Sequence, residues 1–76
     1  MKEIEAIQMR KWIKELKTYG FTVLSISKYV GIKSNQTVRL FVEQQDRMLQ
    51  DKNHEALYEW LLTTREKITI LKQADE

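Results

Sequence analysis

Cysteine is absent from this 76-residue chain, which excludes disulfides and thiolate zinc sites together. With one histidine, His54, a histidine-rich metal site is excluded as well. No apolar run approaches the roughly 18 residues that a membrane span needs. The opening Met1-Lys2-Glu3-Ile4-Glu5 carries acids where a signal peptide carries apolar residues. The expected compartment is therefore the cytoplasm, whose reducing conditions suit a cysteine-free protein. Proline is missing and glycine occurs only at Gly20 and Gly31, so little in the sequence interrupts helices. A core this small supplies roughly 3–5 kcal/mol of net stability. Without disulfides or metals, oligomerisation is the remaining reinforcement, and a homodimer is expected.

A net charge of +2 does not by itself point to nucleic acid. Its distribution says more. Residues 10–39 hold Arg10, Lys11, Lys14, Lys17, Lys28, Lys33 and Arg39 against Glu15 alone, a local balance of +6, whereas residues 40–76 balance to −3. One basic face and an acidic remainder fit a polyanionic partner.

Periodicity divides the chain into helices, and the expected fold is all-α, a single small domain of four to five helices over residues 1–76. The first helix spans about Lys2 to Tyr19, with Met9, Ile13 and Leu16 on one stripe and Ala6 and Trp12 beside it. Ile4 and Ile7 project away from that stripe. Gly20 closes this helix, since glycine adopts the left-handed C-terminal cap. Thr22 is the N-cap of a short helix from Val23 to Val30. A third helix begins after Ser34 and runs to about Met48, with Val38, Phe41, Val42, Gln45 and Met48 sharing a face. The fourth starts at an Asn53 cap and runs toward Lys72, with Leu57, Leu61, Thr64, Ile68 and Leu71 in its stripe. Thr63-Thr64 is a possible break, and Gln50 to Asn53 reads as a loop.

Thr22 to Gln45 carries the function. Read as helix, tight turn, helix, it turns Ile26, Val30 and Ile32 inward, with Val38 and Phe41 closing from the second helix. Gly31 stands at the turn, where a side chain would obstruct the crossing, and Ser27 is the small residue at the closest approach. That is helix-turn-helix geometry, in which the second helix enters the major groove. Thr22, Ile26-Ser27, Val30-Gly31-Ile32, Ser34 with Thr37-Val38, and Arg39 together resemble the motif of Cro/repressor (Xre-type) regulators. The resemblance covers residues 22–45 of the 76. That family usually has alanine or another small residue where Ser27 stands. It has an aliphatic residue where this chain has Thr37, with Val38 one place later. Either the turn is one residue longer or the second helix is rotated.

The resemblance implies that Asn35, Gln36 and Arg39 meet base edges, the amides pairing with adenine and arginine with guanine. Ser34 and the free amides beside it would hold a phosphate. Lys28, Lys33 and Lys14 or Lys17 would supply salt-dependent backbone contacts. Such regulators dimerise on half-sites one helical turn apart. The fourth helix is where a dimer contact is expected, at Trp60, Leu62 and Ile70. The implied protein is a DNA-binding transcriptional regulator of phage or mobile-element type, with double-stranded DNA as partner and neither a cofactor nor a small-molecule effector.

The alternative from another class is a helical protein-interaction module, an antirepressor or inhibitor whose acidic second half covers a protein partner. A third reading is an excisionase-like protein that bends DNA. Catalysis is not expected. Asp51, Glu55 and Glu59 share a helix face, but acid-base chemistry or cation binding needs convergence in a pocket. Ser25 and Ser27 lack a nucleophile's partners, and His54 reads as a surface residue.

Overall fold

The computed structural model describes the backbone of residues 2–75 and the side chains of residues 2–67. It contains four α-helices, α1 (Lys2–Thr18), α2 (Val23–Val30), α3 (Asn35–Glu43) and α4 (Asp51–Asp75), and no strand among the described residues. The fold is all-α. The helices close a ring in which α1 packs on α4 and α3, and α2 packs on α3 and α4.

Periodic apolar residues turn these helices toward one another. Ala6, Met9, Ile13 and Leu16 of α1 are buried against Leu57 and Leu61 of α4, and Ile26, Val38 and Phe41 fill the centre from α2 and α3. Each of these side chains gains roughly 1.5–3 kcal/mol by leaving water, alanine less. Ile4 and Ile7 project outward as their phase requires, 58% and 54% exposed.

The helix ends are set by local chemistry at three points. After α1, Gly20 takes a φ of +97°. The Gly20 amide donates to the Lys17 carbonyl and the Phe21 amide to that of Leu16, which satisfies two of the carbonyls a helix end leaves open. Thr22 caps α2. Its hydroxyl accepts from the Ser25 amide, and the Ser25 hydroxyl accepts from the Thr22 amide, a reciprocal capping box. Gly31 ends α2 at a φ of +88°, and the amides of Gly31 and Ile32 both donate to the Ser27 carbonyl. A Cβ at Gly31 would meet nothing within 4 Å. Glycine is needed there for its left-handed backbone, not because a side chain would obstruct a crossing.

Two boundaries differ from expectation. α3 ends at Glu43, five residues before Met48, so Gln45 and Met48 are exposed and Leu49 fills the core instead. The cause is Arg10, whose side chain crosses from α1. Its Nε donates to the Phe41 carbonyl at 2.8 Å, and its Nη2 to the carbonyls of Arg47 at 2.6 Å and Gln44 at 3.3 Å. The guanidinium also lies over the Phe41 ring, 4.4 Å from its centroid. A cation thus satisfies one open carbonyl in the last turn of α3, that of Phe41, and two in the turn that follows, those of Gln44 and Arg47. Arg10 is only 7% exposed, so it is not part of the basic surface counted in the sequence.

α4 begins at Asp51, ahead of Asn53, and its first backbone bond runs from the His54 amide to the Gln50 carbonyl. The residues read as a loop are mostly helix. Thr63-Thr64 does not break it: the Thr63 hydroxyl donates back to the Glu59 carbonyl, and the helix continues. His54 is buried, contrary to its surface reading. Its Nε2 lies 2.8 Å from Glu5 Oε1 and its ring stacks on Tyr58, while Nδ1 has no partner among the described residues. With the Lys2–Asp51 ion pair at 2.7 Å, this contact fastens the start of α1 to the start of α4. On the flank toward α1, Trp12 stacks on Tyr58, with the Arg65 guanidinium over its indole.

Candidate nucleic-acid interface

α2 and α3 are joined by the four residues from Gly31 to Ser34 and pack on each other. Ile26, Ser27 and Ile32 are buried on one side of this joint and Val38 and Phe41 on the other, with Val30 half-buried. The Ser27 hydroxyl donates to the Val23 carbonyl of its own helix, so this buried polar atom needs no partner across the joint. The outer face of α3 is what remains. Phe41 points inward, and Gln36, Arg39 and Glu43 project outward.

All six side chains singled out in the sequence for DNA contact are exposed: Lys28 on α2, Lys33 and Ser34 in the connection, and Asn35, Gln36 and Arg39 in the first turns of α3. Ser34 occupies the N-cap position of α3 with extended backbone but makes no side-chain cap bond. Its carbonyl accepts from the Thr37 amide. The hydroxyl and the first amides of α3 therefore remain available to an outside acceptor, at the end of the helix where the dipole favours an anion. Arg39 Nη2 donates to Gln36 Oε1 at 2.8 Å, so these two side chains lie together.

Lys11, Lys14 and Lys17 of α1 are also exposed. Lys11 and Lys14 line a cleft of about 430 Å³ between α1 and α3, with Ile7, Val42, Glu43 and Gln45 on its other sides. Removing Arg10 from the count leaves six exposed basic residues over residues 10–39 against the exposed Glu15. The positive balance of this stretch survives the correction. No protein-family model, curated protein or solved structure matches this chain.

Of the side chains assigned to a dimer contact, Trp60 and Leu62 lie on different sides of α4. The Trp60 ring is engaged within the molecule, stacked on Tyr29 at 5.9 Å and edge-on to Phe21 at 6.1 Å. Leu62 is exposed two residues further on, which places it roughly 160° away around α4. The side chain of Ile70, like those of Ile68 and Leu71, lies outside the described residues. Exposed apolar residues that the sequence did not single out include Tyr19 after α1 and Leu24 and Tyr29 on α2, the last 66% exposed. Phase alone could not have found Tyr29, since it lies three residues after Ile26 and so beside the inward face. Among the described residues no three of histidine, aspartate and glutamate are placed to hold a metal ion, and no helix is long and apolar enough to cross a membrane.

Proposed function

We propose that α2, the Gly31 turn and α3 form a helix-turn-helix, and that the protein binds double-stranded DNA through α3 as a sequence-specific transcriptional regulator of phage or mobile-element type. One observation carries this reading: Asn35, Gln36 and Arg39 all face solvent in the first turns of α3, with Lys28, Lys33 and an unused Ser34 hydroxyl beside them. An α-helix with its side chains is about 10–12 Å across, which fits a major groove about 12 Å wide. In this geometry the lysines and the α3 amides hold phosphates and fix the register, and the three polar side chains meet base edges. The lysine contacts carry no sequence information but supply most of the salt dependence.

A single α3 spans few base pairs, so regulation requires two copies on half-sites roughly 34 Å apart. The homodimer is part of the proposal, and the compartment is the cytoplasm. The test is fluorescence anisotropy of the full chain with an unrelated duplex at 50 and 200 mM salt. Affinity should fall about a hundredfold if some four phosphates are neutralised, and a Lys33→Ala/Arg39→Ala variant should lose binding.

A second reading has its own support in the exposed apolar side chains of Ile4 and Ile7 on α1 and of Leu24 and Tyr29 on α2, which suit a protein partner. Absence of duplex binding by the folded wild-type chain at 50 mM salt would favour this interaction module over the regulator.

A further inference from the structure

Gln36 and Arg39 are separated by three residues, so they neighbour each other on α3, and they are joined by the 2.8 Å hydrogen bond from Arg39 Nη2 to Gln36 Oε1. The guanidinium turns toward Gln36, at the N-terminal end of α3, and not toward Glu43 four residues on. We infer that the two side chains act on DNA as one unit, in which Gln36 positions Arg39 for a guanine. The inference rests on the DNA reading above and names the base that the pair selects.

The donor geometry supports it. A guanidinium offers five N–H groups in a fixed planar fork. Nη2 carries two hydrogens, one belonging to the edge shared with Nε and one to the edge shared with Nη1. Whichever hydrogen Gln36 accepts, one complete two-pronged edge stays open, and such an edge matches O6 and N7 of guanine. The charged donor makes this hydrogen bond stronger than a neutral pair. A long side chain already ordered in the free protein also loses less freedom when a base arrives.

The same bond changes what Gln36 reads. Pairing with adenine needs the carboxamide oxygen and nitrogen together, and Oε1 already takes one hydrogen bond from Arg39, with its second lone pair open. With the oxygen turned toward Arg39, the N–H donors of Gln36 suit an acceptor on an adjoining pair, thymine O4 or a second guanine. Asn35 carries no such constraint and keeps the adenine assignment expected from the sequence.

The experiment selects duplexes from a randomised pool with the full-length wild-type chain. It then measures, by anisotropy, the preference for guanine over the other bases at each selected position for wild type, Arg39→Lys, Gln36→Ala and Gln36→Glu. Circular dichroism checks that each variant is folded. Wild type should prefer guanine at one position by about ten- to a hundredfold. Arg39→Lys, which keeps the charge but not the fork, should abolish that preference. Gln36→Ala should reduce the preference at least threefold, and Gln36→Glu, which retains an acceptor for Arg39, should keep it. An unchanged preference in Gln36→Ala, or in Arg39→Lys, overturns the paired reading and leaves DNA binding standing. Loss in Gln36→Glu as well as Gln36→Ala would assign the effect to the carboxamide N–H and overturn it too. Failure of wild type to bind any duplex at low salt removes both the pair and the regulator.

Discussion

Replacing Arg10 with methionine should nearly unfold this protein, although an arginine on a basic helix reads as an ordinary surface residue. The methionine stem keeps the packing over Phe41 and removes only the charged head. What is lost is the bond to the Phe41 carbonyl at 2.8 Å, that to Arg47 at 2.6 Å, and a long one to Gln44 at 3.3 Å. Hydrogen bonds from a charged donor contribute about 1.5–3 kcal/mol each. Three bonds sharing one charge are not additive, and the 3.3 Å contact adds little, so we expect a loss of about 3–4 kcal/mol. A chain of 76 residues with so small a core has only about 3–5 kcal/mol in total. The thermal midpoint should fall by about 15–25 °C, followed by far-UV circular dichroism and checked by urea titration. Lys11→Met, next door on the exposed side, should change stability by no more than about 0.5 kcal/mol. Arg10→Lys should fall between, since one ammonium does not replace the fork. A midpoint for Arg10→Met within 5 °C of wild type would refute the reasoning, by showing that water serves those carbonyls as well as the guanidinium does.

Three further outcomes follow from the same geometry. Gly31→Ala should cost about 1–2 kcal/mol, the left-handed strain alone, because its Cβ enters open space; a loss above 3 kcal/mol in urea denaturation would restore the crowding explanation. His54→Leu should leave stability within about 1 kcal/mol of wild type or raise it, since it removes a buried Nδ1 that has no partner among the described residues while Glu5 stays partly hydrated; His54→Ala should cost about 2–3 kcal/mol through the cavity, and equal losses in the two variants would contradict this account. The Asp51 carboxyl is held below its ordinary value of 3.8, first by the hydrogen bond from Lys2 and then by its charge. That contribution is present above pH 4 and disappears as pH falls through the lower folded value. Asp51→Asn should therefore be slightly less stable than wild type at pH 7, and the gap in thermal midpoint should close once pH is well below the ordinary 3.8. A gap of the same size at both pH values would argue against the ion pair.

Legibility in the sequence followed the range of the interactions. Thr22, Val30 and Gly31 mark α2 to the residue because a cap, a hydrophobic period and a left-handed turn are written within ten positions. Val38 and Phe41 gave the phase of α3, and with it the outward placement of Gln36 and Arg39, for the same reason. The end of α3 was not legible. No glycine or proline lies between Glu43 and Gln50, and the helix stops because a side chain 31 positions earlier caps it. His54 misled in the same way: its burial depends on Glu5 and Tyr58, and Glu5 is 49 residues distant. Of the dimer residues, Trp60 was judged from helical phase alone, which cannot reveal that Phe21 and Tyr29 occupy its ring.

Because the guanidinium that finishes α3 belongs to α1, this helix has no shape of its own to carry elsewhere. Helices of eight and nine residues are too short to persist alone in water. A peptide of residues 22–45, or a chain trimmed past position 10, would carry every side chain proposed to read bases and hold none of them in place. Anyone grafting this surface onto another scaffold must transplant the anchor with the blade.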